Sequence, residues 1–286
     1  MTPCPAHDRN VDEIAYWNGP GGQRWLNRQA LQDALLAPIS AILLDRAAPR
    51  VGELVLDIGC GCGATTFALA QRVAPTGHVL GLDVSSLMLE RARGLAPSGL
   101  AVEFALSDAT VYPFEPGRGD LLCSRFGVMF FADPGASFTN MRGGLRRGAR
   151  MAFTCWRQAR ENPWLLVPLQ EAYRYVARLP EVGPEDPGPF SFADRRRVRR
   201  ILEVAGFEAI SLEAIDLSLD LANAGGLDAA VDTAVAMGPA SRALEGQPPE
   251  LRAAAAESIR AALGRHQVGD SVPLPAALWV VTATNP

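Results

Sequence analysis

The chain has 286 residues, of which 48% are hydrophobic, and its formal net charge is −4. This length and composition indicate one large globular domain, or one domain with insertions. All 27 basic residues are arginine. The mild net acidity argues against non-specific binding to nucleic acid or to an anionic membrane surface. No apolar run approaches the length of a transmembrane helix, and residues 1–10 hold no apolar segment of the signal-peptide type.

Five cysteines and three histidines bear on metal binding and on the redox compartment. The number of cysteines is odd, and three of them fall in predicted loops or strands of the core, which favours reduced thiols in a cytoplasmic protein. A metal site at Cys60 and Cys62 would need further ligands, and the sequence offers neither a second close cysteine pair nor clustered histidines. We therefore expect no metal cofactor.

Residues 16–25 read Tyr-Trp-Asn-Gly-Pro-Gly-Gly-Gln-Arg-Trp, which is unusual for the start of a plain helix. Small and helix-breaking residues separate Trp17 from Trp25. The two indole rings either pack on the core or cover a bound ligand.

Between residues 54 and 155, short apolar runs alternate with helical patterns. Elements of this length in alternation predict βαβ units and a parallel sheet that is covered by helices on both faces. The predicted strands are residues 54–58, 79–82, 102–106, 121–124 and 151–155, and the predicted helices are 64–73, 86–93 and 134–146, the last with Asp133 as its N-cap.

Later segments break this alternation. Residues 162–189 predict a helix and a loop, and residues 226–265 are alanine-rich and helical. Residues 210–221 and 277–284 predict two late strands that end the sheet as an antiparallel pair, with a bulge between residues 214 and 215. Residues 194–205 predict an amphipathic helix whose arginines form a solvated face, with an anion site as the alternative: Arg195, Arg196, Arg197, Arg199 and Arg200.

The segment Val-Leu-Asp-Ile-Gly-Cys-Gly-Cys-Gly (residues 55–63) places three alternate glycines after a short strand. A glycine-rich turn between a strand and a helix lets a ligand approach the backbone closely. The spacing differs from the Gly-x-Gly-x-x-Gly of dehydrogenases, and Asp57 before the turn would repel a diphosphate. The same carboxylate would attract a cofactor that carries an ammonium group and no phosphate, such as S-adenosylmethionine.

Two further acids follow the next two predicted strands. Asp83 can accept hydrogen bonds from both ribose hydroxyls of a nucleoside, and its alternative role is that of a helix N-cap. Asp108 can accept from an adenine amine while the Ala109 amide donates to the ring, and its alternative role is that of an ordinary loop residue. Three acids after three successive strands correspond to the ligand-binding edge of an open α/β sheet.

These segments, together with Cys-Ser-Arg-Phe-Gly-Val-Met-Phe-Phe-Ala-Asp-Pro (residues 123–134), resemble class I S-adenosylmethionine-dependent methyltransferases. The nearest branch is the ubiquinone- and menaquinone-biosynthesis-like group that acts on small molecules. The resemblance runs from about residue 16 to the end and is strongest over residues 54–164. Leu-Arg-Arg-Gly-Ala (residues 145–149) departs from the usual Leu-Arg-Pro-Gly-Gly of the family and puts the turn before the fifth strand in doubt.

The resemblance implies an α/β fold: a Rossmann-like, seven-stranded, mostly parallel sheet with an antiparallel last strand, helices on both faces, and helical lid and cap insertions. Residues 1–50 would form an N-terminal helical lid, and residues 51–155 and 193–286 the core. Residues 156–192 and 222–270 would form substrate caps within the same domain.

The resemblance also implies roles for individual residues. Asp57 and Gly59 would face the methionine amino group of S-adenosylmethionine, Asp83 would bind the ribose, and Met88 would pack on the adenine. Ser124 and Arg125 would border the methionine and the transferring methyl group. The implied cofactor-binding residues are Asp57, Gly59, Gly61, Asp83, Val84, Met88, Asp108, Ala109, Ser124 and Arg125, and the implied substrate-binding residues are Tyr16, Trp17, Phe126, Met129 and Trp164.

The predicted reaction is an in-line displacement that moves the methyl group to carbon, oxygen or nitrogen of a small, hydrophobic, aromatic metabolite and leaves S-adenosylhomocysteine. Alignment supplies most of the rate, and a general base adds roughly 10²–10⁴-fold. The candidates for that base are His266, Tyr16, Glu161 and His7, each of which also has an ordinary structural role open to it.

We expect a monomer or homodimer with no nucleic-acid or membrane partner. The main alternative is an isomerase or cyclase of the same fold that binds S-adenosylmethionine without transferring its methyl group. A nicotinamide oxidoreductase is disfavoured by Asp57 and the glycine spacing, and a nucleic-acid or protein methyltransferase by the net acidity.

Overall fold

The structure is a computed structural model that describes residues 10–286. Within these residues the core is a seven-stranded sheet in the order β3-β2-β1-β4-β5-β7-β6. The first five strands of this order are parallel, and β7 runs antiparallel to both of its neighbours, as predicted. The strands are β1 (Leu54–Ile58), β2 (His78–Asp83), β3 (Val102–Leu106), β4 (Gly119–Arg125), β5 (Leu145–Trp156), β6 (Glu208–Asp220) and β7 (Pro273–Thr284).

Helices cover both faces of the sheet because alternate strand residues point to opposite sides. Val55 and Leu121 pack against α3 and α4, whereas Leu56 and Leu122 lie in the cluster that contains Phe138 of α6. The described helices are α1 (Val11–Asn18), α2 (Pro20–Asn27), α3 (Gln29–Ala47), α4 (Ala64–Val73), α5 (Ser86–Leu95), α6 (Pro134–Gly143), α7 (Pro163–Ala172), α8 (Arg195–Val204), α9 (Gly226–Ala236), α10 (Gly238–Leu244) and α11 (Pro249–Gly264).

The α6–β5 boundary and the β6 bulge differ from the sequence prediction. Helix α6 ends at Gly143 and not at residue 146, because Leu145 already pairs with Gly119 at the start of β5. The bulge predicted between residues 214 and 215 is wrong, since β6 and β7 pair without a register shift from Ser211 to Asp220. The irregularity lies between Glu208 and Ser211, where Ala209 has a φ of 50°.

The solvated face predicted for α8 is wrong for one of its five arginines. Arg197 is buried, and its guanidinium donates to the carbonyl oxygens of Ser191 and Glu185 at 2.8 and 3.1 Å. It also lies over the Phe192 ring at 5.6 Å. Buried arginines need such acceptors, so this side chain serves to pin the loop before α8.

The N-terminal segment lies at the carboxyl edge of the sheet and is anchored at both ends of α1. Asn10 donates to Asp108 at 2.6 Å and accepts from the Ala132 amide at 2.8 Å. Asn18 donates to the Val84 carbonyl at 2.8 Å. These bonds hold α1 across the loops that follow β2, β3 and β4, while α2 begins after the break at residue 19 with Pro20 in its first turn.

Helices α7, α9, α10 and α11 pack on one another. Arg24 of α2 pairs with Glu245, the residue after α10, at 2.6 Å. The division of the chain into lid, core and caps stays a prediction. His7, one of the candidate bases, and Cys4, the first of the five cysteines, lie outside the described residues. No helix within residues 10–286 combines the length and apolarity that crossing a bilayer requires.

Candidate active site

A cavity of 370 Å³ opens at the carboxyl ends of β1, β2 and β4. This is the edge at which open α/β sheets bind ligands, and the volume lies in the range of small-molecule sites. Its lining residues are of two kinds. The first belong to the glycine turn and the loops after β2 and β3, and the second are mainly aromatic: Tyr16, Trp17, Phe126, Phe130, Trp156 and Trp164.

Four backbone amides of the glycine turn are already used within the protein. A turn that binds a diphosphate must present free N–H groups to the phosphate oxygens. Here the amides of Gly59 and Cys60 donate to the Leu82 carbonyl, that of Gly61 donates to Asp83 at 2.8 Å, and that of Gly63 donates to the Cys60 carbonyl. These four amides are therefore not free to bind a phosphate.

Glycine is required at this turn for two different reasons. Gly59 has a φ of 65°, and a Cβ there would lie 2.6 Å from the Cα of Gly127. Gly61 has a φ of 55°, but the nearest atom to its Cβ would be the Met88 sulfur at 3.7 Å. The first glycine permits a close approach of two backbone segments, and the second keeps the cavity open beside Met88.

Asp57 lies against α4 and outside the residues that line the cavity. Its Oδ2 accepts from the hydroxyls of Thr65 and Thr66 at 2.8 and 2.7 Å, and its Oδ1 is buried without a hydrogen-bond partner among the described residues. Burial raises the pKa of the carboxyl group to about 6. A buried carboxylate oxygen without a donor is costly, so a cationic donor nearby would be favoured.

Asp83 does line the cavity, and both of its oxygens accept backbone amides. Oδ2 accepts from Gly61 and Oδ1 accepts from Ser85, each at 2.8 Å. Burial raises the pKa of Asp83, against the effect of these amides. The cap of α5 is Ser85, whose hydroxyl accepts from the Met88 amide, so the alternative role of Asp83 as that N-cap is wrong.

Asp108 lines the cavity and is bound to the N-terminal segment. Its Oδ2 accepts from the Asn10 side chain at 2.6 Å, and its Oδ1 accepts from the Thr110 amide at 2.8 Å. Asn10 is itself a lining residue that sequence reasoning missed. An adenine amine at Asp108 would share this carboxylate with Asn10. Val84, Met88 and Ala109 also line the cavity.

Ser124 and Arg125 lie at the end of β4, and only Arg125 lines the cavity. Ser124 is fully buried, lies outside the lining residues, and donates to the Ile58 carbonyl at 2.7 Å. Arg125 lines the cavity and donates to Ser40 at 2.8 Å and to Asp33 at 3.3 Å. Asp33 is a further lining residue that sequence reasoning missed, so the structure adds an ion pair to the cavity wall.

Aromatic rings form much of the remaining wall, and all five predicted substrate residues line the cavity. Phe126 has a φ of 67°, and its ring stacks on Trp156 with centroids 4.1 Å apart. Trp164 contacts Trp156 at 5.2 Å, and Trp17 contacts Phe130 at 5.1 Å. A left-handed conformation at a bulky residue is unusual and here holds the Phe126 ring in the wall.

Two of the predicted catalytic residues lie away from the cavity. His266 follows α11 and is exposed, and Glu161 is bound by Arg157 and by the Gln158 amide. Tyr16 does line the cavity, and its hydroxyl accepts from Arg24 at 2.9 Å. The structure therefore brings only Tyr16 of these three to the site.

Glu13 is an acid in the cavity that sequence reasoning missed. It lies one turn after Asn10 and one turn before Trp17, so the three side chains share one face of the start of α1. The residues at 10, 13, 14 and 17 all line the cavity, and this helical spacing was the available signal.

The cysteine thiols near the cavity are in an environment that disfavours the thiolate form. Cys60, Cys62, Cys123 and Cys155 are free and buried, and burial raises the pKa of Cys62 to about 12. Metal-binding cysteines act as thiolates, which this environment disfavours. Within residues 10–286, no three His, Cys, Asp or Glu side chains are grouped as metal ligands would be.

Comparison with known proteins identifies the central part of the chain. Residues 55–148 match the model of a family described as methyltransferase domain. Residues 55–148 are therefore a methyltransferase domain. The match covers β1 to the start of β5 and therefore includes the glycine turn and the loops that carry Asp83 and Asp108.

Two bacterial relatives named as methyltransferases are similar to part of this chain. Aklanonic acid methyltransferase from Streptomyces sp. (strain C5) is 36% identical over 119 residues, which cover 41% of this chain and 54% of that protein. Nocamycin O-methyltransferase from Saccharothrix syringae is 34% identical over 119 residues, which cover 41% of this chain and 42% of that protein. The chain thus spans about half the length, or less, of these curated relatives.

A solved structure extends the similarity of fold beyond the domain. Phosphoethanolamine N-methyltransferase 2 from Haemonchus contortus, in complex with phosphomonomethylethanolamine and S-adenosylhomocysteine, aligns with 99% of this chain and 61% of its own. The TM-score is 0.58 and the sequence identity 17%, so the likeness concerns the fold alone. The narrower resemblance to the ubiquinone- and menaquinone-biosynthesis-like branch stays a prediction.

Proposed function

We propose that this protein transfers a methyl group from S-adenosylmethionine to a small, hydrophobic, aromatic metabolite by in-line displacement. One observation carries the proposal: a single cavity joins the glycine turn and Asp83 to a wall of aromatic rings. A cofactor and an acceptor that share such a cavity can be held in line, and alignment supplies much of the rate of a displacement.

The residues of the cavity fit S-adenosylmethionine better than a dinucleotide. The amides of Gly59, Cys60, Gly61 and Gly63 are internally bonded, which leaves this part of the turn without donors for phosphate. In our proposal Asp83 binds the ribose, Met88 packs on the adenine, and Asp108 accepts from the adenine amine. The unpaired oxygen of Asp57 and the Asp33–Arg125 pair supply charges for the amino-acid end. When bound, the cofactor supplies a methyl group that its sulfonium already activates.

The acceptor side is apolar and aromatic, which supports a flat hydrophobic substrate. Stacked and edge-on rings such as Phe126 on Trp156 and Trp17 on Phe130 offer faces on which an aromatic ring packs. The relatives named for aklanonic acid and nocamycin support a small-molecule acceptor in bacterial secondary metabolism. We propose no nucleic-acid partner, because the net charge is −4.

Calorimetry and mass spectrometry test this proposal. Titration of the purified chain should show binding of S-adenosylmethionine and S-adenosylhomocysteine, and no binding of NAD. Incubation with S-adenosylmethionine and a library of hydroxylated polycyclic aromatics should then add one methyl mass to a product. Binding of NAD in place of the methionine cofactors would contradict the proposal. Cofactor binding with substrate conversion but no added mass would instead support the isomerase or cyclase alternative.

Replacing Asp83 by asparagine should weaken cofactor binding without unfolding the protein. Both carboxylate oxygens already hold a backbone amide, so the variant loses one acceptor for the ribose and disturbs the Gly61 contact. We expect the Kd of S-adenosylhomocysteine to rise by about 10- to 100-fold, because a hydrogen bond to a charged group contributes roughly 1.5–3 kcal/mol. Calorimetric titration of D83N with S-adenosylhomocysteine measures this increase in Kd.

Asp45→Asn is the matched control for this prediction. Asp45 is an exposed acid on α3 that pairs with Arg72 at 3.6 Å and lies outside the cavity. Its variant should bind the cofactor as the wild type does. Equal affinities of D83N and D45N for S-adenosylhomocysteine would show that Asp83 does not bind the cofactor.

A further inference from the structure

We infer that Glu13 is the general base of the methyl transfer and that the acceptor is an acidic hydroxyl group, such as a phenol or an enol. This inference rests on the proposed function and adds to it the class of acceptor atom. It assigns a role to a residue of the N-terminal segment rather than to the methyltransferase domain at residues 55–148.

The position of Glu13 is set by the anchoring of α1. Asn10 and Asn18 tie the two ends of this helix to the loops after β2, β3 and β4, which hold the predicted cofactor residues. Glu13 lies between these anchors on the face that lines the cavity. The Trp17 side chain, one turn further on, interacts with the Glu13 carboxyl group and lowers its pKa. The anchored helix therefore holds the carboxylate in the cavity wall, as a general base must be held.

One oxygen of Glu13 is available to a substrate. Its Oε2 is buried and has no hydrogen-bond partner anywhere in the part of the chain that the structure describes. A buried carboxylate oxygen without a donor is costly to keep, and such groups occur at functional sites. The hydroxyl of an acceptor in the cavity would supply the missing donor.

Opposing effects act on the pKa of Glu13. Burial raises it, as does the charge of Asp12, whereas the Trp17 side chain and the charge of Arg242 on α10 lower it. The net effect is a raised pKa. A raised pKa makes the ionised carboxylate a stronger proton acceptor.

Two arginines of the cavity wall can stabilise negative charge on an acceptor oxygen. The guanidinium groups of Arg24 and Arg242 lie over the Tyr16 ring, 5.6 and 5.4 Å from its centroid, and all three residues line the cavity. Arg24 is occupied by the Tyr16 hydroxyl and Glu245. Among the contacts found within residues 10–286, the Arg242 guanidinium meets only the Tyr16 ring, and its charge acts on Glu13 without a direct ion pair. This guanidinium would stabilise an oxygen that gains negative charge as its proton leaves.

The step that this geometry serves is balanced in atoms and charge. The acceptor oxygen forms a bond to the methyl carbon, and the carbon–sulfur bond breaks with its electron pair staying on sulfur. The proton of the acceptor hydroxyl passes to Oε2 of Glu13 and later to solvent. A carboxylate can take the proton of a phenol or enol as the new bond forms, whereas an aliphatic alcohol holds its proton too strongly.

Glu13→Gln tests the inference, with Glu90→Gln as its control. Glu90 is an exposed glutamate on α5 outside the cavity. The probes are 2-naphthol, which is protonated at neutral pH, and 2-hydroxy-1,4-naphthoquinone, which is already ionised. We expect E13Q to methylate 2-naphthol about 10²-fold more slowly than the wild type, and the ionised quinone at nearly the wild-type rate. The wild-type kcat should fall as pH falls through the Glu13 pKa, and this dependence should vanish in E13Q.

A second readout needs no acceptor. In protein labelled with ¹³C at the glutamate carboxyl carbon, the resonance that E13Q removes should titrate above the ordinary glutamate range with S-adenosylhomocysteine bound. A resonance that titrates in the ordinary range, or an equal loss of rate on both probes, would overturn the role of Glu13. Wild-type protein that binds the cofactor but methylates neither probe would overturn the acidic hydroxyl as acceptor. Failure to bind the cofactor would instead contradict the proposed function itself.

Discussion

Gly59→Ala is expected to lower the free energy of unfolding by about 3 kcal/mol or more. The new Cβ would lie 2.6 Å from the Cα of Gly127, a backbone atom that cannot move aside as the end of a side chain could. The residue would also keep a φ of 65°, which costs roughly 1–2 kcal/mol for alanine. Overpacking adds about 1–3 kcal/mol. Urea denaturation followed by circular dichroism measures the difference.

Gly61→Ala separates the steric contribution from the conformational one. Its φ of 55° is as unfavourable for alanine, but the nearest atom to the new Cβ is the Met88 sulfur at 3.7 Å, an ordinary contact distance. We expect a loss of only about 1–2 kcal/mol in stability, which is the cost of the left-handed conformation alone. Because Gly61 lines the cavity beside Met88, its variant should bind S-adenosylhomocysteine more weakly than the wild type. Equal stability of G59A and G61A would contradict the close approach at Gly59.

Asp57→Asn should change how the stability of the protein depends on pH. The pKa of Asp57 rises from 3.8 to about 6 in the folded state, mainly through burial. Between these values the folded protein holds a proton that the unfolded chain has released, so the free energy of unfolding falls as pH rises. Since one pKa unit corresponds to about 1.4 kcal/mol, ionised Asp57 costs roughly 3 kcal/mol of stability above pH 6.

Asparagine cannot ionise, and its carbonyl can still accept from Thr65 and Thr66. We expect the stability of D57N relative to the wild type to increase by about 3 kcal/mol between pH 4 and pH 8 in cofactor-free protein. Urea titrations at four pH values measure it, with Asp45→Asn as an exposed control. A difference between D57N and wild type that stays constant with pH would show that Asp57 does not titrate in this range.

The same variant connects the stability of the protein to its function. If Asp57 attracts the cationic end of S-adenosylmethionine, D57N should bind the cofactor more weakly while it folds more stably at neutral pH. A buried carboxylate with one unpaired oxygen is then explained as a feature kept for binding, at a cost in stability.

The local sequence was sufficient to predict the glycine turn and the two elements that flank it. The alternate glycines, the strand before them and the acid after the next strand are all signals within a few residues, and β1 and α4 have the predicted bounds. The side-chain direction of Asp57 was less accessible, because it depends on the threonines of α4 and on how the strand sits in the sheet. Sequence reasoning therefore found the turn but not which of its neighbours faces the cavity.

The local sequence did not show which of the candidate bases lies at the cavity. Glu161 and His266 have suitable side chains, but one is bound by Arg157 and the other is exposed beyond α11. Glu13 has the same chemistry as Glu161, and its only signal in the sequence is the helical spacing that it shares with Asn10 and Trp17. What distinguishes it is the cavity, which also contains Arg242 from a distant part of the chain.

The sequence by itself determined the class of fold, the glycine turn and the acids at the carboxyl edge of the sheet. It did so because strand patterning, turn chemistry and the position of a residue after a strand are local properties of the chain. Only the tertiary structure decided that four of the turn amides are already bonded, that Asn10 binds Asp108, and that Glu13 and Arg242 line the same cavity. These features depend on contacts between distant segments, which burial and packing create and no local pattern records.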